Sequence, residues 1–371
     1  MDSTIVFLNK EMGMKIYNFI KNIAILYFCI FNLYTCHASK IVGLVAVHNE
    51  SSFIKHCLQA MAEYTDAIVV LDDVSEDDTV AVIESVAREC NVERLIRKTV
   101  WQRDEKGDKN MLLMAGREIG GTHFVMLDAD EMFVAPCKKH NWLRNQILSL
   151  KPGQIICFPM MNVWNGLGHY RDDEDMSPRH RKWKGICAVL CDDGQCSYEE
   201  NQVWGPSGAL HVTRIPANRV CDESEKNILI TDINHGLLHY KYVNMEDVTV
   251  KKIWYMCVEY MNANKDNSSS EARKKNARKI NEFYKYEFQS SLGSTVKMKL
   301  TKVPSSWYEY SFFNHSQYDR IHMLRKNEII GWLKKFGRKY FEPLNIWNES
   351  WVKEIFPSSK EIDFAEDKDQ D

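Results

Sequence analysis

From Lys40 onward, short apolar runs alternate with stretches of helical spacing. Ile41 to Val47 is a continuous run rich in β-branched residues, as a strand buried on both faces requires. Ser51 to Tyr64 then has the spacing of a helix, and Ala67 to Leu71 is a second buried-strand run. Ser75 is placed to cap a helix reaching about Glu89, with Asp78 three residues on and Val82, Ile83 and Val86 on one face. Val92 to Ile96 reads as a third strand, Asn110 to Ile119 as a helix and His123 to Leu127 as a fourth strand. Strands that alternate with helices predict a parallel, doubly wound sheet, because each parallel neighbour needs a crossover.

Beyond Pro136 the texture changes. Aromatic residues multiply, and irregular strands are expected near Ile155 to Met161, Cys187 to Leu190 and Ala209 to Thr213, forming a second half-sheet. A helix is expected from Asn244 through Trp254 towards Met261, then a polar loop at Asn262 to Ser270 and a basic stretch at Glu271 to Lys279. A further helix is expected at His322 to Phe336. There and just beyond, Arg325, Lys326, Lys334, Lys335, Arg338 and Lys339 interleave with Ile329, Ile330, Trp332, Leu333, Phe336 and Tyr340. An apolar stripe packed on the body of the protein explains that composition better than a membrane surface does. The division expected is a leader at 1–39, a catalytic domain at 40–261, a helical extension at 262–360 and an acidic, disordered tail at 361–371.

The amino terminus adds a targeting signal to this picture. Ile23 to Tyr34 is apolar except for Asn32, follows Lys15 and Lys21, and precedes Cys36-His37-Ala38. It is short against the roughly 20 residues a membrane helix needs, and has the shape of a secretory signal or signal anchor. That predicts the secretory pathway or cell envelope, with possible membrane association through this segment, and leaves a cytoplasmic location open. The balance of 48 Lys and Arg against 51 Asp and Glu, a formal charge of −3, supplies no basic field for nucleic acid. With 44% hydrophobic and 11% aromatic residues, a sizeable core is expected. Of 11 cysteines, Cys187, Cys191, Cys196 and Cys221 lie close in sequence, and one or two disulfides are expected among them rather than a zinc site.

The chemistry gathers at strand ends. Asp128-Ala129-Asp130 follows the strand Phe124 to Leu127 directly, and in open α/β sheets ligands collect outside the carboxyl ends of the strands. Two carboxylates so placed can hold Mg²⁺ or Mn²⁺, which carries a phosphate-bearing substrate. Taken alone, such a pair is more often a solvated loop. Its company is Leu71-Asp72-Asp73 with Ser75 and Asp77-Asp78-Thr79 at the second strand end, and His48-Asn49-Glu50 at the first. Lys106, Lys109 and Asn110, just before the fourth strand, are placed to meet phosphates. Asn49, Asn267, Asn314 and Asn348 open Asn-x-Ser triplets, of which Asn49 lies in the expected site and should stay unmodified.

In this order, Val47 to Glu50, Val69 to Thr79 and Phe124 to Phe133 make Val42 to Phe133 resemble the nucleotide-binding half of a family 2-like glycosyltransferase with the GT-A fold. The resemblance implies an α/β architecture: a Rossmann-like nucleotide-binding half with a mixed central sheet, plus a C-terminal helical extension. It implies a nucleotide-sugar donor, a UDP-sugar by preference, and a glycan, lipid or protein hydroxyl as acceptor, with inversion the expected outcome. Donor contacts fall on His48, Asn49, Glu50, Asp72 or Asp73, Lys109 and Asp128. Asp128 and Asp130 serve Mn²⁺ or Mg²⁺. A looser resemblance in the second half rests on Tyr170-Arg171-Asp172-Asp173, Arg214-Ile215-Pro216 and Leu238-His239-Tyr240-Lys241-Tyr242. There His239 is a third metal or diphosphate contact, or equally a satisfied core histidine. His235, with Gly236 between the two, does not join it in a helical metal pair.

An acceptor hydroxyl needs a general base. Asp172, Asp173, Glu174 and Asp175 cluster near Trp164, Tyr170 and Trp183, which suit sugar stacking, and Asp173 is the residue chosen. No GluAsp pair of the usual family 2 acceptor site is readable, so the base and the stereochemical outcome stay open. Two other functions compete: an inactive carbohydrate-binding or scaffold protein on the same fold, and a DxD phosphohydrolase. The second wants its catalytic strand first in the chain, whereas here it is the fourth.

Overall fold

The structure is a computed structural model that describes residues 39–102, 104–172, 186–204, 211–221, 227–265, 269–292, 299–308, 316–348 and 352. The expected leader, Asp173 to Asp175, Trp183, Asn267, Asn314 and the acidic tail lie outside the described residues. Among the described residues, no helix is long and apolar enough to cross a membrane.

The first half alternates as its pattern dictates: β1 (Ile41–Val47), α1 (Ile54–Ala62), β2 (Ala67–Asp72), α2 (Thr79–Val86), β3 (Val92–Arg97), α3 (Glu105–Glu118) and β4 (His123–Asp128). Next come β5 (Glu131–Phe133), α4 (Trp142–Leu148), β6 (Ile155–Phe158), β7 (Met160–Trp164), β8 (His169–Arg171) and β9 (Ile186–Cys191). The short strands β10 (Val203–Trp204), β11 (His211–Val212) and β12 (Asn227–Leu229) precede β13 (Leu237–Tyr242). The chain then turns helical: α5 (Met245–Ala263), α6 (Ser270–Leu292), β14 (Leu300–Lys302), α7 (Ser316–Phe336) and α8 (Arg338–Phe341).

Seven strands form the central sheet in the order β12-β6-β9-β4-β1-β2-β3. β3, β2, β1 and β4 run parallel, while β9 is antiparallel to both β4 and β6, so the sheet is mixed. Five strands, β14-β8-β7-β13-β5, make a second sheet. Side chains alternate across β1, β2 and β4, so the central sheet feeds two cores. Val45, Val70 and Leu127 meet α1, and Leu44, Leu71 and Met126 meet α3. Gly116 lets α3 lie close to the sheet, since a Cβ there would come within 2.6 Å of the Phe124 ring. A third core joins α5, α6, α7 and α8 through Ile253, Cys257, Tyr260, Ile280, Ile329, Leu333 and Phe341. Ile329 and Leu333 are buried there and Trp332 is half-buried against the same core, which is the packed arrangement expected of the basic helix; Phe336 stays exposed.

Two expectations are corrected. Cys187 pairs with Cys157, its register partner across β9 and β6, while Cys191, Cys196 and Cys221 are free thiols. Ser75 caps no helix, because its Oγ accepts the Asn49 N–H and α2 starts at Thr79.

Candidate functional site

The switch point of the central sheet lies at β1, which has β2 on one side and β4 on the other. Register sets Ala46 opposite Asp128 and Val47 opposite Asp72, so three strand ends finish on one edge. A cleft of about 360 Å³ opens there. Of the residues expected from sequence, His48, Glu50, Asp73, Lys109, Asp128, Asp130 and His239 line it.

His48 accepts no freedom in this turn: its Nδ1 lies 2.7 Å from the Asp73 carbonyl and donates to it, and its ring stacks on Trp101 and Trp254. Burial opposes its charge, but Glu328 and the Asp73 carbonyl and carboxylate together outweigh burial and raise its pKa. Asp73 faces Lys98 at 2.7 Å, and the same ammonium meets Asp108 at 2.8 Å. Burial pushes Asp108 up to about 6 against the pull of Lys98. Between Asp73 and Ser75, Val74 sits at φ 59°, a left-handed conformation that β-branched residues rarely take.

Asn49 and Asp72 stand outside the cleft lining. Asn49 is 1% exposed, and its Oδ1 accepts the backbone N–H groups of Glu76 and Asp77, tying the β1 turn to the β2 turn. The Asp72 carboxylate accepts the Ser75 N–H. Of the basic group on α3, Lys109 reaches the cleft with Glu105 at 2.7 Å, whereas Lys106 pairs with Glu200 and Asn110 bonds Tyr198. Trp164 and Tyr170 are buried, which corrects their expected role as sugar platforms, and Asp172 is held by Thr301. Asp173, the expected base, lies outside the described residues.

The two carboxylates of the DxD pair differ. The Asp128 side chain is 61% exposed on the rim, with Arg214 at 3.4 Å. Asp130 is buried, with His239 Nε2 and Lys251 Nζ each 3.7 Å from its Oδ2. Burial opposes ionisation of both, yet Arg214 beside Asp128 and Lys251 beside Asp130 hold them below the ordinary carboxylate value. Glu131 folds back to accept the Asp128 N–H and forms a two-pronged pair with Arg214. Burial raises Glu131 to about 7, while Arg214, against its own burial, is raised by Glu131 and Asp128 and keeps its charge, so the pair stands as an ion pair. Glu50, buried near Lys251, Asp130 and Arg325, is pushed up to about 7, first by burial and then by Asp130 against the pull of Lys251.

These residues fit a divalent cation. His239 Nδ1 lies 2.8 Å from the Asn162 side-chain oxygen, which fixes the proton on Nδ1 and leaves the Nε2 lone pair towards Asp130. Burial pushes His239 down to about 4, so at neutral pH a lone pair faces a carboxylate oxygen, an arrangement that a metal ion between them relieves. Around it, Asp130, Glu50 and Asp247 face Lys251 and Arg325, and Asp128 and Glu131 face Arg214. Each group leaves one carboxylate in excess. Asp192, Asp193 and Cys196 form a tighter cluster, with donors within 4.8 Å of one another, but it is internally satisfied. Arg117 forks onto Asp192, and Asp193 accepts three backbone N–H groups.

The wall opposite the strand ends went unread in the sequence. Lys251, Trp254 and Tyr255 come from α5 and Arg325 from α7, with Trp101 and His211 beside them. The signal was there in part, since 251, 254 and 255 share one helical face.

Residues 44–140 match the family model described as glycosyl transferase family 2. No curated protein matches the sequence. Among solved structures, the chain is distantly similar to S. aureus TarS 1-349, at TM-score 0.36 and 14% identity over 67% of this chain and 72% of that one. The mannosyltransferase PcManGT from Pyrobaculum calidifontis in complex with GDP-Man and Mn²⁺ gives TM-score 0.35 and 13% identity, covering 86% of this chain and 88% of that one. Glucosyl-3-phosphoglycerate synthase from Mycobacterium tuberculosis in complex with Mn²⁺ and UDP-Glc gives TM-score 0.24 and 20% identity, over 34% and 44%. Strand ends in register, a DxD pair at the switch point and the match over residues 44–140 together mark that segment as a glycosyl transferase family 2 region, set within a mixed α/β fold.

Proposed function

We propose that the enzyme moves a sugar from a nucleotide-sugar donor, a UDP-sugar by preference, to a hydroxyl of a glycan, lipid or protein acceptor, with inversion and with help from Mn²⁺ or Mg²⁺. The observation that carries the metal is the tautomer of His239, fixed by Asn162 so that its free nitrogen faces Asp130. Asp128, Asp130 and His239 would hold the ion, which when bound supplies positive charge against the diphosphate. The chain's own residues divide the remaining work. His48 and Trp101 offer ring faces for the base, Asp73 an acceptor for its N–H or for ribose hydroxyls, and Lys109 a cation for phosphate. Asp173 remains the proposed base, to take the acceptor's proton. The Cys157–Cys187 disulfide supports a compartment where disulfides persist, in keeping with the secretory pathway or cell envelope.

Release of nucleoside diphosphate from a panel of UDP- and GDP-sugars, with Mn²⁺ and with chelator, tests this reading. Metal-dependent release from one donor is expected. Equal release in chelator would remove the metal, and no release from any donor, with any acceptor class, would favour the inactive carbohydrate-binding protein.

A further inference from the structure

Lys251 is placed oddly for a lysine on a helix. Asp247 precedes it by one turn of α5, the spacing at which an acid and a lysine ordinarily pair along a helix surface. That pairing is pre-empted. The Arg325 guanidinium, reaching across from α7, forks onto both Asp247 oxygens at 2.7 and 2.8 Å. Lys251 is left to the cleft, where its ammonium lies 3.6 Å from Glu50 and 3.7 Å from Asp130. Both separations exceed hydrogen-bond length, and among the described residues Lys251 makes no hydrogen bond. An ammonium carries three N–H donors, and burying it with all of them unused is costly. Its side chain is only 13% exposed, yet it lines the open cleft together with Lys109 and Asp128.

We infer that Lys251 is a diphosphate-binding residue, supplied to the strand-end site by the helical half of the molecule, whose unused donors are completed by oxygens of the donor's diphosphate. This deepens the proposed function and rests on it. The chemistry asks for a ligand with several anionic oxygens beside Asp130, and a diphosphate has them. A nucleoside monophosphate, ending one phosphate earlier, does not reach far enough to gain the contact. In the absence of donor, Glu50 and Asp130 balance the charge of the ammonium without consuming its hydrogen bonds.

Calorimetry with UDP, GDP and UMP in Mn²⁺, on the full chain and on Lys251→Met, tests the inference. The variant is expected to bind the favoured diphosphate about ten- to a hundredfold more weakly than the wild type, with UMP affinity unchanged and Lys251→Arg restoring part of the loss. Should the methionine variant fail to fold by circular dichroism, Lys251→Gln replaces it with the same expectation. Diphosphate affinity equal to wild type, or an equal loss for UMP, overturns the role of Lys251 while leaving the nucleotide site standing. A wild-type protein that binds neither diphosphate overturns the inference and the nucleotide-sugar reading together.

Discussion

The cleft has two walls of opposite construction. One is made of carboxylates on strand-end turns, Glu50, Asp73, Asp128 and Asp130, each within three residues of the strand that aims it. The other is made of cations and aromatic rings on helices: Lys251, Trp254 and Tyr255 from α5 and Arg325 from α7. Arg325 meets Glu50 across 275 residues of sequence. The first wall is positioned by sheet register, which any strand-turn-helix repeat supplies. The second is positioned by tertiary packing of α5 against α7, so its charges depend on one another. The two should fail differently when broken: the acidic wall in chemistry, and the basic wall, at the Arg325 pair that braces it, in folding.

The largest effect is expected at the acidic wall. Asp130→Asn keeps size and removes one charge, so it should lower turnover about a hundredfold or more, as the proposed cation would be worth several kcal/mol to the leaving diphosphate. Its thermal stability should stay near that of the wild type, because Lys251 keeps Glu50 as a partner. Wild-type turnover in this variant would remove Asp130 from the metal site.

At the basic wall the same kind of change should cost stability. Arg325 is buried with its fork on Asp247 and one nitrogen near Glu50. Arg325→Met leaves Asp247, Glu50 and Asp130 with a single lysine, and breaking a buried pair from one side costs about 3–5 kcal/mol. Urea unfolding would measure it. A loss under about 1 kcal/mol, the range of exposed pairs, would mean that the helical wall is held by its apolar core alone.

How the two walls read in the sequence follows from the same contrast. β1 runs over the residues its apolar run predicts, and β2 and β4 each end one residue beyond theirs, because a buried parallel strand is a contiguous apolar run; β3, a half-buried edge strand of mixed polarity, also ends one residue beyond its expected end. Helix starts were less legible. α3 begins at Glu105, five residues before the expected Asn110, since its first turn is polar and Asp104 caps it through the Gly107 N–H. The DxD pair and Asp73 were readable as motifs, whereas Lys251 and Arg325 belong to no motif and became site residues only when α5 packed on α7. The Cys157–Cys187 bridge was hidden for a like reason, as it depends on the β6/β9 register.

Between the walls sits Glu50, and its titration reports on both. Its carboxyl is raised from an ordinary 4.5 to about 7, by burial first, with Asp130 and Asp247 adding to the rise and Lys251 and Arg325 opposing it. The unfolded chain gives up this proton near 4.5 while the folded protein keeps it to about 7, so the folded state binds more protons in that window. Stability should therefore fall as pH rises from about 4.5 to about 7 and level off above, by on the order of 3 kcal/mol at about 1.4 kcal/mol per pH unit. Thermal unfolding across that range in chelator checks it, with Glu50→Gln as the control. A wild-type profile parallel to that of Glu50→Gln would show that Glu50 is ionised throughout.

The smallest effect sharpens how the acidic wall is aimed. Val74 holds φ 59° in the turn that presents Asp73 to the cleft, and strain of this kind costs about 1–3 kcal/mol when the surroundings impose it. Those surroundings are visible: the Asp73 N–H donates to the Val47 carbonyl, and the Ser75 N–H donates to Asp72. Val74→Gly relieves the steric cost but adds freedom to the unfolded chain, worth about 0.5–1 kcal/mol. The net change should be a gain of up to about 1–2 kcal/mol, with donor affinity unchanged because the flanking hydrogen bonds still fix Asp73. Val74→Pro makes the opposite case, since its ring locks φ near −65°. That substitution should swing Asp73 off the cleft and weaken donor binding even where the protein still folds. If the proline variant binds donor as tightly as the glycine variant, the turn does not aim Asp73, and nucleoside contact belongs to His48 and Trp101 instead.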